Sequence, residues 1–213
     1  MSATDIPVAF WLLPSESDAK DLQARIAELS HQHGTVAFEA HVTLHVDSCS
    51  RSADLESVLR TVAAASSPLT LVAATTRYSA AYYKALYVDL DTGAGHASDA
   101  TTGTTPLRTL RYRLAAELLR VSAGAVGRSA QSAAAPAKRE DIEAALARYA
   151  FLPHVSLLYG QLPDPLGRDL AARNNQPGRR IRFDAIAAVR PFPGHPDLSQ
   201  VAHWEVFGRQ RLG

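Results

Sequence analysis

Cysteine is almost absent from this chain: Cys49 is the only one in 213 residues. A lone thiol closes no intramolecular disulfide and builds no thiolate metal site, and it suits a reducing compartment, so a cytoplasmic protein is expected. An excess of either charge is missing too, with 22 Lys and Arg against 21 Asp and Glu and a formal net charge of +1. That balance removes any global pull toward nucleic acid or an anionic membrane, and long nucleic acid is not an expected partner. Long apolar runs are lacking as well. No stretch approaches the roughly 18 apolar residues of a membrane span, and Met1 to Trp11 carries Asp5 and no basic segment ahead of its apolar residues. A soluble, unexported protein is expected.

What the chain does have is apolar material, 46% of its residues, enough for one sizeable core or two small lobes sharing a cleft. One unit over residues 1–213, acting as a monomer, is the expectation. Alternating and β-branched patterns predict strands over 6–13, 36–46, 69–78, 82–90, 152–159, 178–189 and 200–209. Ser79 to Ala81, small residues between two of these runs, suggest an antiparallel hairpin. Helical spacing predicts helices over 19–30, 50–65, 106–121, 139–149 and 162–173, the third opening on Pro106 with Leu107, Leu110, Leu114 and Leu118 on one face. Residues 91–105 and 122–137 are rich in Gly, Ala, Ser and Thr and read as surface segments. Strands and helices so mixed place the chain in the α+β class.

Histidine is scarce, eight in all, yet two of the eight head matching tetrapeptides: His41-Val42-Thr43-Leu44 and His154-Val155-Ser156-Leu157. On a strand, side chains alternate faces, so each histidine shares a side with its hydroxyl neighbour while the apolar pair packs behind. Hydrolysis of a phosphodiester needs a base for the attacking water and an acid for the leaving oxygen. Imidazole, with its pKa near 6.5, serves as either. The Thr43 and Ser156 hydroxyls can donate to the nonbridging oxygens as phosphorus becomes five-coordinate, so no metal is required. One such histidine alone would read as a satisfied strand residue; two copies in similar positions of the two halves carry the catalytic reading.

These residues resemble the 2H phosphoesterase superfamily, named for two His-x-(Thr or Ser) motifs facing each other across a cleft. Within it the chain is similar to the cyclic phosphodiesterases of the transfer RNA splicing pathway, through Phe10-Trp11-Leu12-Leu13-Pro14, Tyr82-Tyr83-Lys84, Pro153-His154-Val155-Ser156-Leu157-Leu158-Tyr159 and His203-Trp204-Glu205. The resemblance spans most of the chain except about 92–137, an insertion of unknown role. It implies a bilobal, LigT-like α+β fold with two antiparallel sheets, outer helices and a central cleft. It also implies hydrolysis of ADP-ribose 1″,2″-cyclic phosphate to ADP-ribose 1″-phosphate, with nucleoside 2′,3′-cyclic phosphates opened to 2′-phosphates, without metal or other cofactor. The implied site holds His41 and His154 as catalytic residues, Thr43, Ser156 and Tyr159 at the phosphate, and Tyr82 and Tyr83 as stacking rings.

Other features are read as structural. Trp11 and Trp204 are expected to pack where the termini join, with room for an edge of one to line the cleft, and His45, on the predicted face of His41, to reach the rim. His31 and His33 with His41 and His45 lack acidic or cysteine partners at regular spacing, so no metal site is expected. Arg108, Arg111 and Arg113, like Arg179, Arg180 and Arg182, are expected on solvated faces. Alternatives within the same fold are an enzyme of RNA ends or 2′,5′ linkages; outside catalysis, a nucleotide-binding module. A serine hydrolase is disfavoured, since no nucleophile elbow surrounds Ser156.

Overall fold

The computed structural model describes residues 5–50, 54–91, 105–126, 136–191 and 204–213. In chain order, β1 (Asp5–Pro14) leads into α1 (Glu16–His33), β2 (Val42–Ser50) and α2 (Leu55–Ala64). There follow β3 (Leu69–Tyr78), a single 3₁₀ turn (Tyr82–Lys84), β4 (Leu86–Asp91), α3 (Pro106–Val126) and α4 (Arg139–Ala147). The chain closes with β5 (His154–Leu158), α5 (Asp164–Arg173), β6 (Arg180–Arg190) and β7 (Glu205–Arg211).

All the strand pairings are antiparallel, and the order is β2-β1-β6-β3-β4-β5 with β7 also on β6. β6 is the spine. Phe183 pairs with Pro14 of β1 and Leu69 of β3, whereas Ala185 pairs with Leu13 of β1 and Arg211 of β7. β3 and β7 thus occupy successive stretches of one edge while β1 runs along the other. Two halves result, β2-β1-β6-β7 and β6-β3-β4-β5, each with a motif strand outermost. The two sheets implied by resemblance are a single hydrogen-bonded sheet, because the 11 residues of β6 serve both halves. β2 and β5 stand at opposite ends of the order yet lie in contact, so the sheet curls around the space between them.

Alternation along β1 explains why both its faces are buried. Val8, Phe10 and Leu12 enter the main core with Leu22, Ile26 and Leu29 of α1 and Val58, Leu59 and Val62 of α2. Ala9, Trp11 and Leu13 turn the other way, against Ala187 and Val189 of β6. α1 stops at Gly34 in the left-handed region (φ 64°), whose N–H closes on Ser30 O.

Leu107, Leu110, Leu114 and Leu118 of α3 are all buried in the main core. At about 2 kcal/mol for each buried Leu, this helix is a structural member, so the stretch 92–137 is not a mere appendage. Residues 92–104 and 127–135, expected as surface segments, lie outside the described residues, as do residues 192–203. Two strand boundaries also moved. Residues 36–41 form an irregular lead-in rather than the start of β2, and Tyr82–Lys84 coil into the 3₁₀ turn, so the hairpin strand begins only at Leu86. Among the described residues no helix is long and apolar enough to cross a membrane.

Candidate active site

The curl of the sheet brings the two motifs to one cleft of about 380 Å³, lined by His41, Thr43, His154 and Ser156. Behind them Val42, Leu44, Val155 and Leu157 are buried in the core, as alternation requires.

His41 sits at the end of the lead-in, and that segment is clamped. Gln23 of α1 donates through Nε2 to Phe38 O (2.8 Å) and accepts through Oε1 from Ala40 N (3.3 Å). Between these two bonds lies Glu39, whose carboxylate accepts from both terminal guanidinium nitrogens, Nη1 and Nη2, of Arg209 from β7. The Glu39 carbonyl in turn meets His41 Nδ1 at 2.7 Å. His154 repeats the device: its Nδ1 lies 2.6 Å from Leu152 O. A carbonyl oxygen only accepts, so Nδ1 carries the proton in both rings and Nε2 is left to exchange protons with an occupant of the cleft.

Both imidazoles favour the neutral form. Burial pushes His41 from 6.5 down to about 4, against the opposing pull of the Glu39 carbonyl and carboxylate; the His154 charge adds to the depression. The cause is visible in the packing, for Trp11 stacks flat on the His41 ring at 3.8 Å and 10°, and Trp204 meets it edge-on at 6.0 Å. His154 is lowered first by burial, then by the charge of Lys84, while the Leu152 carbonyl and Asp89 act the other way. Nearby, Tyr87 presents its ring edge-on to His154 at 5.4 Å.

The hydroxyl residues are less alike than their motifs. Ser156 is buried and donates from Oγ to Tyr83 O at 3.0 Å, so it must rotate before donating to a ligand. Thr43, half-buried, opens on the cleft. Tyr159 is buried with its ring stacked on Phe38 at 3.6 Å, and its phenol hydrogen bonds with Ser156. Burial raises its pKa, so it remains protonated and able to donate. Tyr83 lines the cleft; Tyr82 packs behind it, ring centroids 5.1 Å apart, against the main core. The aromatic pair is therefore split, because the 3₁₀ turn sends consecutive side chains in different directions.

Other side chains line the cleft besides those of the expected site. Trp11 and Trp204, read as packing, line the cleft, and Tyr149 joins them from beyond the end of α4. The pairing of Trp11 with Thr43 across β1 and β2 is what places that indole over His41. Lys84, quoted within the Tyr82-Tyr83-Lys84 run but given no role, also lines the cleft.

His45 corrects an expectation. A bulge at Leu44 makes Trp11 pair with Thr43 but Phe10 with His45, breaking the alternation. Leu44 and His45 both turn inward, each 1% exposed, and Val46 takes the place at the cleft. His45 is therefore buried, with Nε2 3.7 Å from the Asp47 carboxylate, rather than at the rim. Arg111 is likewise not solvated: its Nε donates to Leu44 O at 2.7 Å, pinning the bulge, and its guanidinium lies over the Phe151 ring. Arg179 remains at the surface, paired with Asp18 and Asp21. Among the described residues no three His, Cys, Asp or Glu side chains gather as metal ligands.

No family model and no curated protein matches the chain. Among solved structures it is similar to Escherichia coli LigT complexed with 3′-AMP, at 15% identity and TM-score 0.47, covering 98% of each chain. It is also similar to TT0787 of Thermus thermophilus, at 14% identity and TM-score 0.48 over 97% of this chain and 98% of that one. Usb1 of Kluyveromyces marxianus, at 13% identity and TM-score 0.35, covers 100% of this chain and 99% of its own. The roles of individual side chains rest on the geometry above.

Proposed function

We propose that this chain is a metal-independent phosphoesterase of the 2H type, a cytoplasmic enzyme that opens small cyclic phosphates. Its substrates are ADP-ribose 1″,2″-cyclic phosphate, giving ADP-ribose 1″-phosphate, and nucleoside 2′,3′-cyclic phosphates, giving 2′-phosphates. One observation carries the reading: two imidazoles with the same tautomer, each leaving Nε2 for the ligand and each followed two residues on by a hydroxyl, share one cleft. A volume of about 380 Å³ suits a mononucleotide-sized ligand with its base against the aromatic wall.

In the proposed step, water attacks phosphorus while His41 Nε2 takes its proton. The bond from phosphorus to the leaving ribose oxygen breaks, and that oxygen receives the Nε2 proton of His154. One water is consumed, one phosphomonoester and one hydroxyl are formed, and the two rings exchange protonation states, which solvent restores. His41, the more firmly neutral ring, fits the base. His154, only half-buried, fits the acid, taking up its proton with the anionic substrate. Thr43, Ser156 and Tyr159 are the donors to the nonbridging oxygens.

The test mixes the purified protein with EDTA and each cyclic phosphate and identifies the product isomer by phosphorus NMR. Turnover with EDTA present is expected, falling about 10²-fold to 10⁴-fold in His41→Ala or His154→Ala with the fold intact. A near-normal rate in either variant refutes the assignment.

A further inference from the structure

A bound phosphodiester brings a charge of −1 that grows toward −2 as phosphorus becomes five-coordinate, and a site must hold that charge with groups already in place. The two imidazoles do not supply it in the free protein, since burial keeps both neutral at neutral pH. No arginine lines the cleft among the described residues, but Lys84 does.

Lys84 is well held for that task. It ends the 3₁₀ turn, with its own N–H bonded to Ala81 O at 2.9 Å. Its half-buried side chain carries the ammonium 4.2 Å from the centre of the Tyr87 ring, the same ring that meets His154 at 5.4 Å, and its charge reaches that histidine. It forms no ion pair with a carboxylate among the described residues. The acidic group nearest in kind, Asp89 on β4, is engaged by Arg77. An ammonium left without a counterion next to a histidine, in a cleft otherwise lined by neutral and aromatic side chains, is a site awaiting an anion.

We infer that Lys84 is a further catalytic residue, whose ammonium contacts a nonbridging oxygen of the bound phosphate from the His154 side and holds part of its growing charge. This rests on the cyclic phosphodiesterase reading above. The placement has a second chemical consequence. A fixed positive charge makes the neighbouring imidazolium a stronger acid, which assists proton delivery to the leaving oxygen. The groups facing His154 that set its proton affinity are Lys84, Asp89, His41 and the Leu152 carbonyl. Of these, Lys84 is the one cation that can be neutralised without touching the imidazoles.

The experiment compares the wild type with Lys84→Met and Lys84→Arg by two readouts. The first is an NMR titration of the His154 ring, with and without inorganic phosphate. The second is kcat/KM on a nucleoside 2′,3′-cyclic phosphate. In Lys84→Met the His154 pKa should rise, phosphate should bind at least roughly tenfold more weakly, and kcat/KM should fall about 10²-fold, with most of the loss restored in Lys84→Arg. Unchanged His154 titration and unchanged phosphate affinity in Lys84→Met would overturn the inference. Should the wild type open no cyclic phosphate, the reading of the reaction fails by itself, and the phosphate titration still decides whether Lys84 holds the anion.

Discussion

Acidification is the perturbation that separates a His41 sealed under Trp11 from one that merely lines a cleft. In the unfolded chain this imidazole titrates near 6.5, and in the fold it is held down to about 4. Between those values the unfolded state binds a proton that the folded state refuses. The stabilisation is therefore complete above about pH 6.5 and is lost as pH falls toward 4. Each pKa unit is worth about 1.4 kcal/mol, so the full difference is about 3 kcal/mol, of which about 2–3 kcal/mol falls between roughly pH 7.5 and 4.5. The assay is urea unfolding of the wild type and of His41→Gln across that interval. His154 and Asp47, which also titrate differently on folding, are common to both proteins and cancel in the comparison. The wild type should lose about 2–3 kcal/mol more than the variant on acidification. Parallel curves would refute the claim that burial beneath Trp11 keeps this ring neutral.

Two further outcomes test the frame around the site. Replacing Gln23 by Leu removes both bonds that clamp the His41 lead-in; kcat should fall about tenfold with KM little changed, and an unaltered kcat would show that Glu39 holds the ring unaided. Gly167 packs against Tyr78 so closely that an added Cβ would enter the ring. Gly167→Ala, which in a free helix would gain about 1 kcal/mol, should here cost about 1–3 kcal/mol of stability. A raised melting temperature would contradict that contact.

The two motifs that meet in the cleft were legible in the chain because the two tetrapeptides repeat a rare residue with the same apolar backing. Val42, Leu44, Val155 and Leu157 are core residues, and that local pattern alone orients His41 and His154 away from the core. Helix positions were legible for the same reason: Leu107, Leu110, Leu114 and Leu118 describe one helical face wherever the helix docks. His45 was not legible, since period-two reasoning cannot see a bulge, and this bulge depends on how β2 registers against β1. Nor was the division of labour between Tyr82 and Tyr83, because the 3₁₀ turn is fixed by Gly160 N–H reaching back to Tyr82 O from the far end of β5.

By itself, then, the sequence determined that two histidines each share a strand face with a hydroxyl residue, and that each motif has an apolar back, since these depend on neighbours one to four residues away. Only the tertiary structure decided that β2 and β5, the outermost strands of two halves joined through β6, bend round to meet. It alone also decided that Trp11 lies flat on His41 and Lys84 stands beside His154. Those juxtapositions join residues dozens to a hundred positions apart, and strand pairing and packing set them through contacts that no local pattern encodes.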